Sequence, residues 1–325
     1  MDFWGWFQDN EAMLSGMAAA LVILGALATV GRNFLLRILG FSYGHKTLSL
    51  TELSSPSPFP IKFAQSEGVN IAYNVQGKGQ HTLLVSPGII SNLHVSSNLP
   101  PIKNTMESLA KFSRVINFDK RGQGLSDPVS KVATISERVR DIESVANATD
   151  SEQFHLMGIS EGGPMSVQFT VENPDRVRGL ILFGTTPRFS RSEDYAIGLS
   201  ERALDSVGAN WGEAVARDIL FPSISREVMD DETYRGFEKL LADRRSIIQI
   251  VEYMKTLDVR DLLADIKCPT LVIHFSGDLA VPLRMGRYLA DHIPNAEFLE
   301  IAGVDHCDLG NAPKAIDAIR AFMGR

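Results

Sequence analysis

Cysteine is scarce in this sequence, with only Cys268 and Cys307 among 325 residues. Two cysteines cannot build the framework of several disulfides that holds small secreted domains together. We expect free thiols in a reducing compartment, although a single bridge between the two stays open. Stability must then come from a buried core, and a chain of this length is long enough to form a large one.

Runs of positive charge are also missing. Lys and Arg number 32 against 39 Asp and Glu, which gives a net charge of −7. Proteins that bind nucleic acids usually concentrate Lys and Arg in one run or on one face, so no nucleic-acid partner is expected. Apolar residues make up 44% of the chain and charged residues 22%, as in an ordinary globular protein.

One long stretch lacks charge altogether. Residues 12–30 (AMLSGMAAALVILGALATV) contain no Asp, Glu, Lys or Arg. As a helix this stretch would span about 28 Å, close to the hydrocarbon thickness of a bilayer. The pattern predicts a transmembrane helix over residues 12–31, embedded in the lipid bilayer, after a short acidic N-terminus at 1–11. Trp4 and Trp6 stand where interfacial aromatic residues are expected.

Two alternatives to a membrane anchor stay open. Residues 26–28 (ALA) have the form of a signal-peptide cleavage site, but a signal peptide begins with basic residues and this chain begins with acidic ones. A buried soluble helix rarely runs so long without a polar face. Arg32 and Arg37 follow the segment and no basic residue precedes it, so the positive-inside rule predicts a single-pass protein with its body in the cytoplasm. Signal cleavage would instead make the protein secreted or periplasmic.

The rest of the chain alternates between apolar runs and helical patterns. Residues 32–60 are predicted to be a juxtamembrane segment that ends in a Ser- and Pro-rich linker. Continuous apolar strands separated by helices predict an α/β fold whose parallel sheet is covered on both faces. Residues 187–258 hold helical patterns without a convincing strand, which predicts a cap inserted between core segments 61–186 and 259–325. Strands are expected at 71–75, 82–85, 115–118, 154–158, 179–183, 270–275 and 297–301.

The segment Gly158-Ile159-Ser160-Glu161-Gly162 fits the pattern G-x-S-x-G between a predicted strand and a predicted helix. Such a turn holds its serine in a strained conformation, and Gly158 and Gly162 let the strand and the helix approach closely. The helix then directs its first amides toward developing negative charge. Ser160 is therefore the candidate nucleophile, although the pattern alone also fits a simple glycine-rich turn.

A serine nucleophile needs a base, and the base needs an orienting carboxylate. Asp278 and His306 each follow a predicted strand, in the chain order Ser, acid, His that suits this kind of turn. Asp305 and Asp308 flank the histidine and are rival acids. Sequence neighbours seldom present side chains to one another in the required geometry, so Asp278 is preferred.

The oxyanion hole is expected to use two backbone N–H groups. We assign one to Glu161, the residue after the nucleophile, and the other to Ile89, in the loop after the strand at 82–85. Gly88 allows that loop to approach the substrate oxygen closely. This chemistry implies no metal and no organic cofactor.

Three segments resemble a known family: 86–93 (SPGIISNL), 119–127 (DKRGQGLSD) and 158–166 (GISEGGPMS). With them, residues 63–323 resemble the α/β-hydrolase superfamily, and within it the hydrolase domains often joined to bacterial adenylate cyclases. The resemblance implies an eight-stranded, mostly parallel sheet, a helical cap and a Ser160/Asp278/His306 triad. Pro87 departs from the pattern, because many relatives carry histidine there.

These features predict a serine hydrolase that cleaves a small, partly apolar carboxylic ester through an acyl-enzyme intermediate. The same triad could cleave a lactone or a carbon–carbon bond, and residue spacing does not separate these reactions. A non-catalytic ligand-sensing module at the membrane is a third possibility. The sequence leaves the oligomeric state open.

Overall fold

One sheet organises the protein, and this computed structural model describes it within residues 47–89 and 91–325. The sheet has eight strands in the order β1-β2-β4-β3-β5-β6-β7-β8. The β1/β2 and β2/β4 pairs are antiparallel, and the other neighbouring strands pair in parallel. The prediction of a mostly parallel, eight-stranded sheet is confirmed. The strands are β1 Lys62–Ser66, β2 Val69–Gln76, β3 His81–Ser86, β4 Ser113–Phe118, β5 Phe154–Ile159, β6 Val177–Phe183, β7 Thr270–Phe275 and β8 Glu297–Ile301.

Helices connect the strands, and their first turns follow local sequence signals. Thr134 and Glu137 form a capping box at the start of α4, and Pro100 occupies the first turn of α3, where its missing N–H does no harm. The helices are α1 Leu50–Leu53, α2 Leu93–Ser96, α3 Pro100–Ala110, α4 Ile135–Ala148, α5 Gly162–Glu172, α6 Glu201–Ala209, α7 Arg217–Leu220, α8 Asp231–Leu241, α9 Arg244–Thr256, α10 Leu283–His292 and α11 Pro313–Met323; a 3-10 helix covers Arg260–Asp265.

Both faces of the sheet are covered, which explains why the central strands are apolar throughout. Along β5, Phe154 and Leu156 pack in one cluster with residues of α4, α5 and α10. Met157 and Ile159 point to the other face and pack with residues of α3 and α11. A strand buried on both faces needs no polar side, so it appears in the sequence as a continuous apolar run.

The segment between β6 and β7 forms a helical cap, and a hydrophobic cluster joins cap residues such as Trp211 and Ile247 to Met285 of α10. The two ends of the cap meet, because Val259 N donates to Pro187 O at 3.0 Å and an ion pair joins Arg188 to Asp258 at 2.6 Å. The helical patterns expected within 187–258 include two successive helices, α8 and α9. Ala242 and Asp243 separate them, and the Asp243 side chain caps α9 by accepting from Ser246 N.

Strand β1 is absent from the expected set of strands. Only its third and fifth residues, Ala64 and Ser66, are buried. An edge strand with so little apolar surface gives a weak signal in the sequence. It is held by its antiparallel register with β2 rather than by a hydrophobic core of its own.

The segment 47–60 lies against the body of the protein. Leu48 N donates to Val228 O of the cap at 2.6 Å, and Leu53 is fully buried. Within the predicted linker, Ser57 N donates to His94 Nδ1 at 3.0 Å. Residues 54–60 form no helix, and these contacts to both the cap and the core hold the segment in place.

The predicted acidic N-terminus (1–11) and transmembrane helix (12–31) lie outside the described residues. Among the helices of residues 47–89 and 91–325, none is both long enough and apolar enough to cross a bilayer.

Candidate active site

Ser160 occupies the sharp turn between β5 and α5, at the carboxyl edge of the sheet. Its φ is +52°, a value uncommon for a residue with a side chain and one that costs roughly 1–3 kcal/mol. The turn is held by backbone hydrogen bonds of 3.0 Å from Ser160 N to Phe183 O and from Gly163 N to Ser160 O. Thr185 Oγ1 also donates to the Ser160 carbonyl. The neighbouring strand β6 and the loop after it therefore hold the strained conformation.

Gly162 allows the first turn of α5 to pack directly on the end of β3. A Cβ atom at this position would lie 2.3 Å from Ser86 O and 2.5 Å from Pro87 O, closer than any side chain could tolerate. Gly158 is equally confined, since its Cβ would lie 2.7 Å from Ser166 Oγ. Both glycines of the G-x-S-x-G pattern are thus required, because neighbouring atoms leave no room for a Cβ atom at either position.

His306 and Asp278 form a buried hydrogen-bonded pair. His306 Nδ1 lies 2.7 Å from Asp278 Oδ2, and the two residues are only 3% and 4% exposed. Asp278 Oδ1 accepts from the backbone amides of Ala280 and Val281 at 2.9 and 3.0 Å. The carboxylate is therefore fixed by its own loop, and His306 Nδ1 donates to it, which leaves Nε2 as the proton-accepting nitrogen.

The two rival carboxylates have other partners. Asp305 accepts from the backbone amide of Ser223 at 2.8 Å and from the hydroxyl of the same serine. Asp308 accepts from the side-chain amide of Asn311 at 2.8 Å. Both serve the loop that carries His306, so the structure pairs this histidine with Asp278.

Ser160 and His306 line the same cavity. Among the described residues, Ser160 Oγ and His306 are not joined by a hydrogen bond. Catalytic hydrogen bonds are often long without substrate and tighten when it binds. The backbone of His306 is itself fixed from the cap, since its N–H donates to Leu220 O at 2.9 Å.

The protonation of His306 depends on two opposed effects. Burial disfavours the charged ring, but the carboxylate of Asp278, assisted by Cys307, outweighs burial and raises the pKa of His306 well above its ordinary value. His274 behaves differently, because burial lowers its pKa. Its Nε2 lies 2.6 Å from Val281 O, so a neutral His274 donates to the loop that holds Asp278. No sequence pattern marks this support, because His274 lies inside an apolar strand.

The loop after β3 lies directly over the nucleophile. A Cβ on Gly88 would lie 3.1 Å from Ser160 Cβ and 3.6 Å from Ser160 Oγ, so only glycine brings the backbone this close without displacing the serine. Ile89 lines the same cavity as Ser160. Glu161 is the residue before the first turn of α5, with a side chain that is 1% exposed. The two residues assigned to the oxyanion hole thus flank the nucleophile.

The side chain of Glu161 belongs to a group of buried charges that the sequence analysis missed. Its carboxylate pairs with Lys120 and with Arg138, and all three side chains are at most 3% exposed. Lys120 lies in the segment DKRGQGLSD, which carried only a family resemblance in the sequence. The sequence shows only that this lysine lies two residues after an apolar strand, which does not predict its burial.

The cavity next to Ser160 has a volume of about 140 Å³ and mostly apolar walls. The cap contributes large side chains to it: Trp211, Leu220, Phe221, Tyr234, Phe237 and Leu241. Its charged or titratable side chains, among the described residues, are Asp119, Tyr234, His306 and Cys307. Burial raises the pKa of Asp119 to about 7. The amides of Leu125 and Leu93 donate to one of its carboxylate oxygens, and these hydrogen bonds oppose the rise in pKa.

Known proteins with sequences similar to this chain include a hydrolase and a receptor. The family model described as serine aminopeptidase, S33, matches residues 102–310. A hydrolase of 2-hydroxy-6-oxononadienedioate and 2-hydroxy-6-oxononatrienedioate from Paraburkholderia xenovorans is 26% identical, over 77% of this chain and 88% of its own. Karrikin insensitive 2 receptor IA from Petunia hybrida is 23% identical, over 75% of this chain and 90% of its own.

The solved structure of an esterase from Exiguobacterium antarcticum superposes with a TM-score of 0.70 at 19% identity, over 81% of this chain and 99% of the esterase. At this identity the likeness concerns the fold alone.

The contact between Asp278 and His306 makes a prediction about the pKa of the histidine. Replacing Asp278 with Asn removes the charge that offsets burial, so the pKa of His306 is expected to fall by at least about one unit. Histidine ring resonances followed by NMR against pH measure this pKa. Asp308→Asn is the matched control, since it removes a nearby carboxylate that faces Asn311. An equal shift in both variants would contradict the assigned pairing.

Proposed function

We propose that this chain, which belongs to the α/β-hydrolase family described as serine aminopeptidase, S33, hydrolyses a small, uncharged, partly apolar carboxylic ester through an acyl-enzyme intermediate. That the protein is an enzyme of the α/β-hydrolase type follows from the family. The narrower reaction is supported by one observation above all. A serine in a strained turn shares an apolar cavity with a histidine whose other ring nitrogen is bound to a buried aspartate.

The proposed mechanism uses the same groups in both half-reactions. Ser160 Oγ attacks the ester carbonyl while His306 Nε2 takes its proton, and Asp278 stabilises the resulting imidazolium. The N–H groups of Ile89 and Glu161 stabilise the oxyanion. The imidazolium then protonates the leaving alcohol as the acyl-enzyme forms. Water, deprotonated by His306, attacks the acyl group, and collapse of the second tetrahedral intermediate returns the proton to Ser160.

The walls of the cavity favour an uncharged substrate. No Lys or Arg side chain lines it among the described residues, so a dicarboxylate such as those named for the Paraburkholderia relative would find no counter-charge. An aminopeptidase substrate would need an anion for its ammonium group. Asp119 is the carboxyl group available, and with its pKa raised to about 7 it is partly neutral near neutral pH. A neutral ester meets neither obstacle.

Two further candidates come from particular observations. A lactone is a cyclic ester and would follow the same mechanism in the same cavity. The Petunia relative is described as a receptor, which favours ligand sensing as the second candidate function. The finer resemblance to hydrolase domains joined to adenylate cyclases stays a prediction. The relatives named above do not test it.

A fluorophosphonate probe distinguishes an enzyme from a sensor. We expect the probe to label the full-length protein, and labelling and ester turnover to disappear in Ser160→Ala, because the probe reacts only with an activated serine. Ser192→Ala, in a cap loop, is the control and should retain both. Turnover of neutral p-nitrophenyl esters should exceed that of aminoacyl p-nitroanilides and of dicarboxylate monoesters. Folded protein that neither labels nor turns over any ester would favour the sensor.

The pH dependence of turnover follows from the raised pKa of His306. His306 acts as a base only when neutral, so kcat/KM should fall as pH decreases through its pKa. Because that pKa is raised, the midpoint of the acid limb should lie above about 6.5, the ordinary value for histidine. A pH profile of kcat/KM with a neutral ester measures it. A midpoint at or below the ordinary histidine value would contradict the role given to His306.

We also propose that residues 12–31 anchor the protein in a membrane, with the body on the cytoplasmic side. The support is the uncharged apolar stretch and the arginines that follow it. Full-length protein should stay with the membrane fraction through a carbonate wash. The pair Leu21→Arg and Leu24→Arg should release it, because each charge adds about 2.5–3.5 kcal/mol at the bilayer centre. The control Leu240→Arg, at an exposed leucine of α8, should not. A mature N-terminus shortly after Ala28 would identify a cleaved signal instead.

A further inference from the structure

The buried Lys120 has no part in the mechanism above, yet it donates to the Gly88 carbonyl, next to Ile89, and to the side chain of Glu161. We propose that Lys120 is a positioning residue for this hole: it holds the peptide unit that carries the Ile89 N–H and the side chain of Glu161. The inference rests on the proposed function, because an oxyanion hole matters only if an ester carbonyl is attacked at Ser160.

Lys120 joins loops that follow three adjacent strands. It lies two residues after β4, and its side chain is 1% exposed. Its ammonium group donates to Gly88 O at 2.6 Å, in the loop after β3. It also donates to Glu161 Oε2, in the turn after β5. Since β4, β3 and β5 are neighbours in the sheet, one side chain spans the edge on which the nucleophile lies.

The contact with Gly88 bears directly on the first oxyanion donor. The carbonyl of Gly88 and the N–H of Ile89 belong to one planar peptide unit, and the described residues contain no cis peptide bond. In a trans unit the carbonyl and the N–H point in opposite directions. An ammonium group fixed on the carbonyl therefore sets the direction of the N–H. It also polarises the unit, which makes the N–H a stronger donor.

The contact with Glu161 bears on the second donor. Glu161 Oε2 accepts from Lys120, and Oε1 accepts from Arg138 Nη1 at 3.0 Å. Arg138 in turn lies 4.4 Å from the ring centroid of Tyr253 in cap helix α9. Both carboxylate oxygens are thus held by cations, so the backbone amide of Glu161 has little freedom to turn away from the substrate.

Stability alone gives a weak reason for this arrangement. Burying a charge costs several kcal/mol, and a well-packed apolar pair is often at least as stable as a buried ion pair. Burial lowers the pKa of Lys120 to about 8, although the negative charge of Glu161 acts to raise it. What a lysine supplies, and an apolar side chain cannot, is a charged donor aimed at the Gly88 carbonyl.

A neighbouring ion pair provides a matched control. Arg121, the next residue in the chain, is also buried and binds Asp141. Its Nε donates to Oδ1 at 3.0 Å and to Oδ2 at 2.9 Å, and its Nη2 donates to Oδ1 at 2.6 Å. Its Nη2 also donates to Ser66 Oγ of β1, at 2.9 Å. Arg121→Met therefore breaks a second buried ion pair, one that has no contact with the oxyanion hole.

The test compares Lys120→Met with Arg121→Met in the full-length protein. Both should lower the melting temperature. Only Lys120→Met should reduce kcat for a neutral ester, by about 10²–10³-fold, the effect of losing one oxyanion-hole donor, with KM changed by less than about threefold. The affinity for an alkyl boronic acid, whose tetrahedral adduct with serine places an oxygen in the hole, should fall by a similar factor. Arg121→Met should keep kcat and boronic-acid affinity within about threefold of the unmodified protein.

A second variant covers the case in which Lys120→Met does not fold. Lys120→Met combined with Glu161→Gln removes both charges of the pair and leaves an amide oxygen to accept from Arg138, and the same loss of kcat is expected. Unchanged kcat in either folded variant, or lost kcat with unchanged boronic-acid affinity, would overturn the inference. Failure of the unmodified protein to label at Ser160 would instead count against the proposed function.

Discussion

The positive φ of Ser160 is the constraint on which the rest of the site depends. A residue with a side chain adopts this conformation only where its surroundings hold it. Here β6 supplies the carbonyl of Phe183, the following loop supplies the hydroxyl of Thr185, and Gly162 lets α5 pack on the end of β3. The turn that presents the nucleophile is therefore the point where three strands and one helix are fixed together. A change in any of these contacts would move the serine oxygen relative to everything else in the cavity.

Parallel strand order explains how distant residues meet around that turn. Parallel strands all end at the same edge of the sheet, so the loops after β3, β4, β5, β7 and β8 converge there although they span 220 residues of chain, from Ser86 to His306. The cap completes the arrangement from above, since α7 accepts a hydrogen bond from His306 and several cap side chains line the cavity. The sheet sets where the candidate catalytic groups lie, and the cap supplies much of the wall of the cavity beside them.

Features marked by a local sequence pattern could be predicted, and features that depend on contacts between distant residues could not. The sheet strands, the G-x-S-x-G turn and the residues after β7 and β8 are marked by local patterns, so they could be found. Strand β1 has too few buried residues to stand out, and the packing of segment 47–60 depends on partners such as His94 and Val228. Lys120 and Glu161 are 41 positions apart. Nothing local predicts that a lysine will be buried against a carbonyl and a carboxylate in other loops, because that outcome is set only by the order of strands in the sheet.

The buried cations at the site lie apart from the apolar walls of the cavity. The cations Lys120 and Arg138 are bound to Glu161 and the Gly88 carbonyl, behind the backbone that faces the nucleophile, and neither lines the cavity. In the proposed mechanism a substrate would meet apolar side chains, and the positive charge would act on it only through backbone N–H groups. Such an arrangement would bind a neutral ground state without attracting anions, yet it would favour negative charge once that charge develops on a carbonyl oxygen. Because Arg138 also lies against Tyr253 of α9, the same buried group connects the cap to the edge of the sheet that carries Ser160.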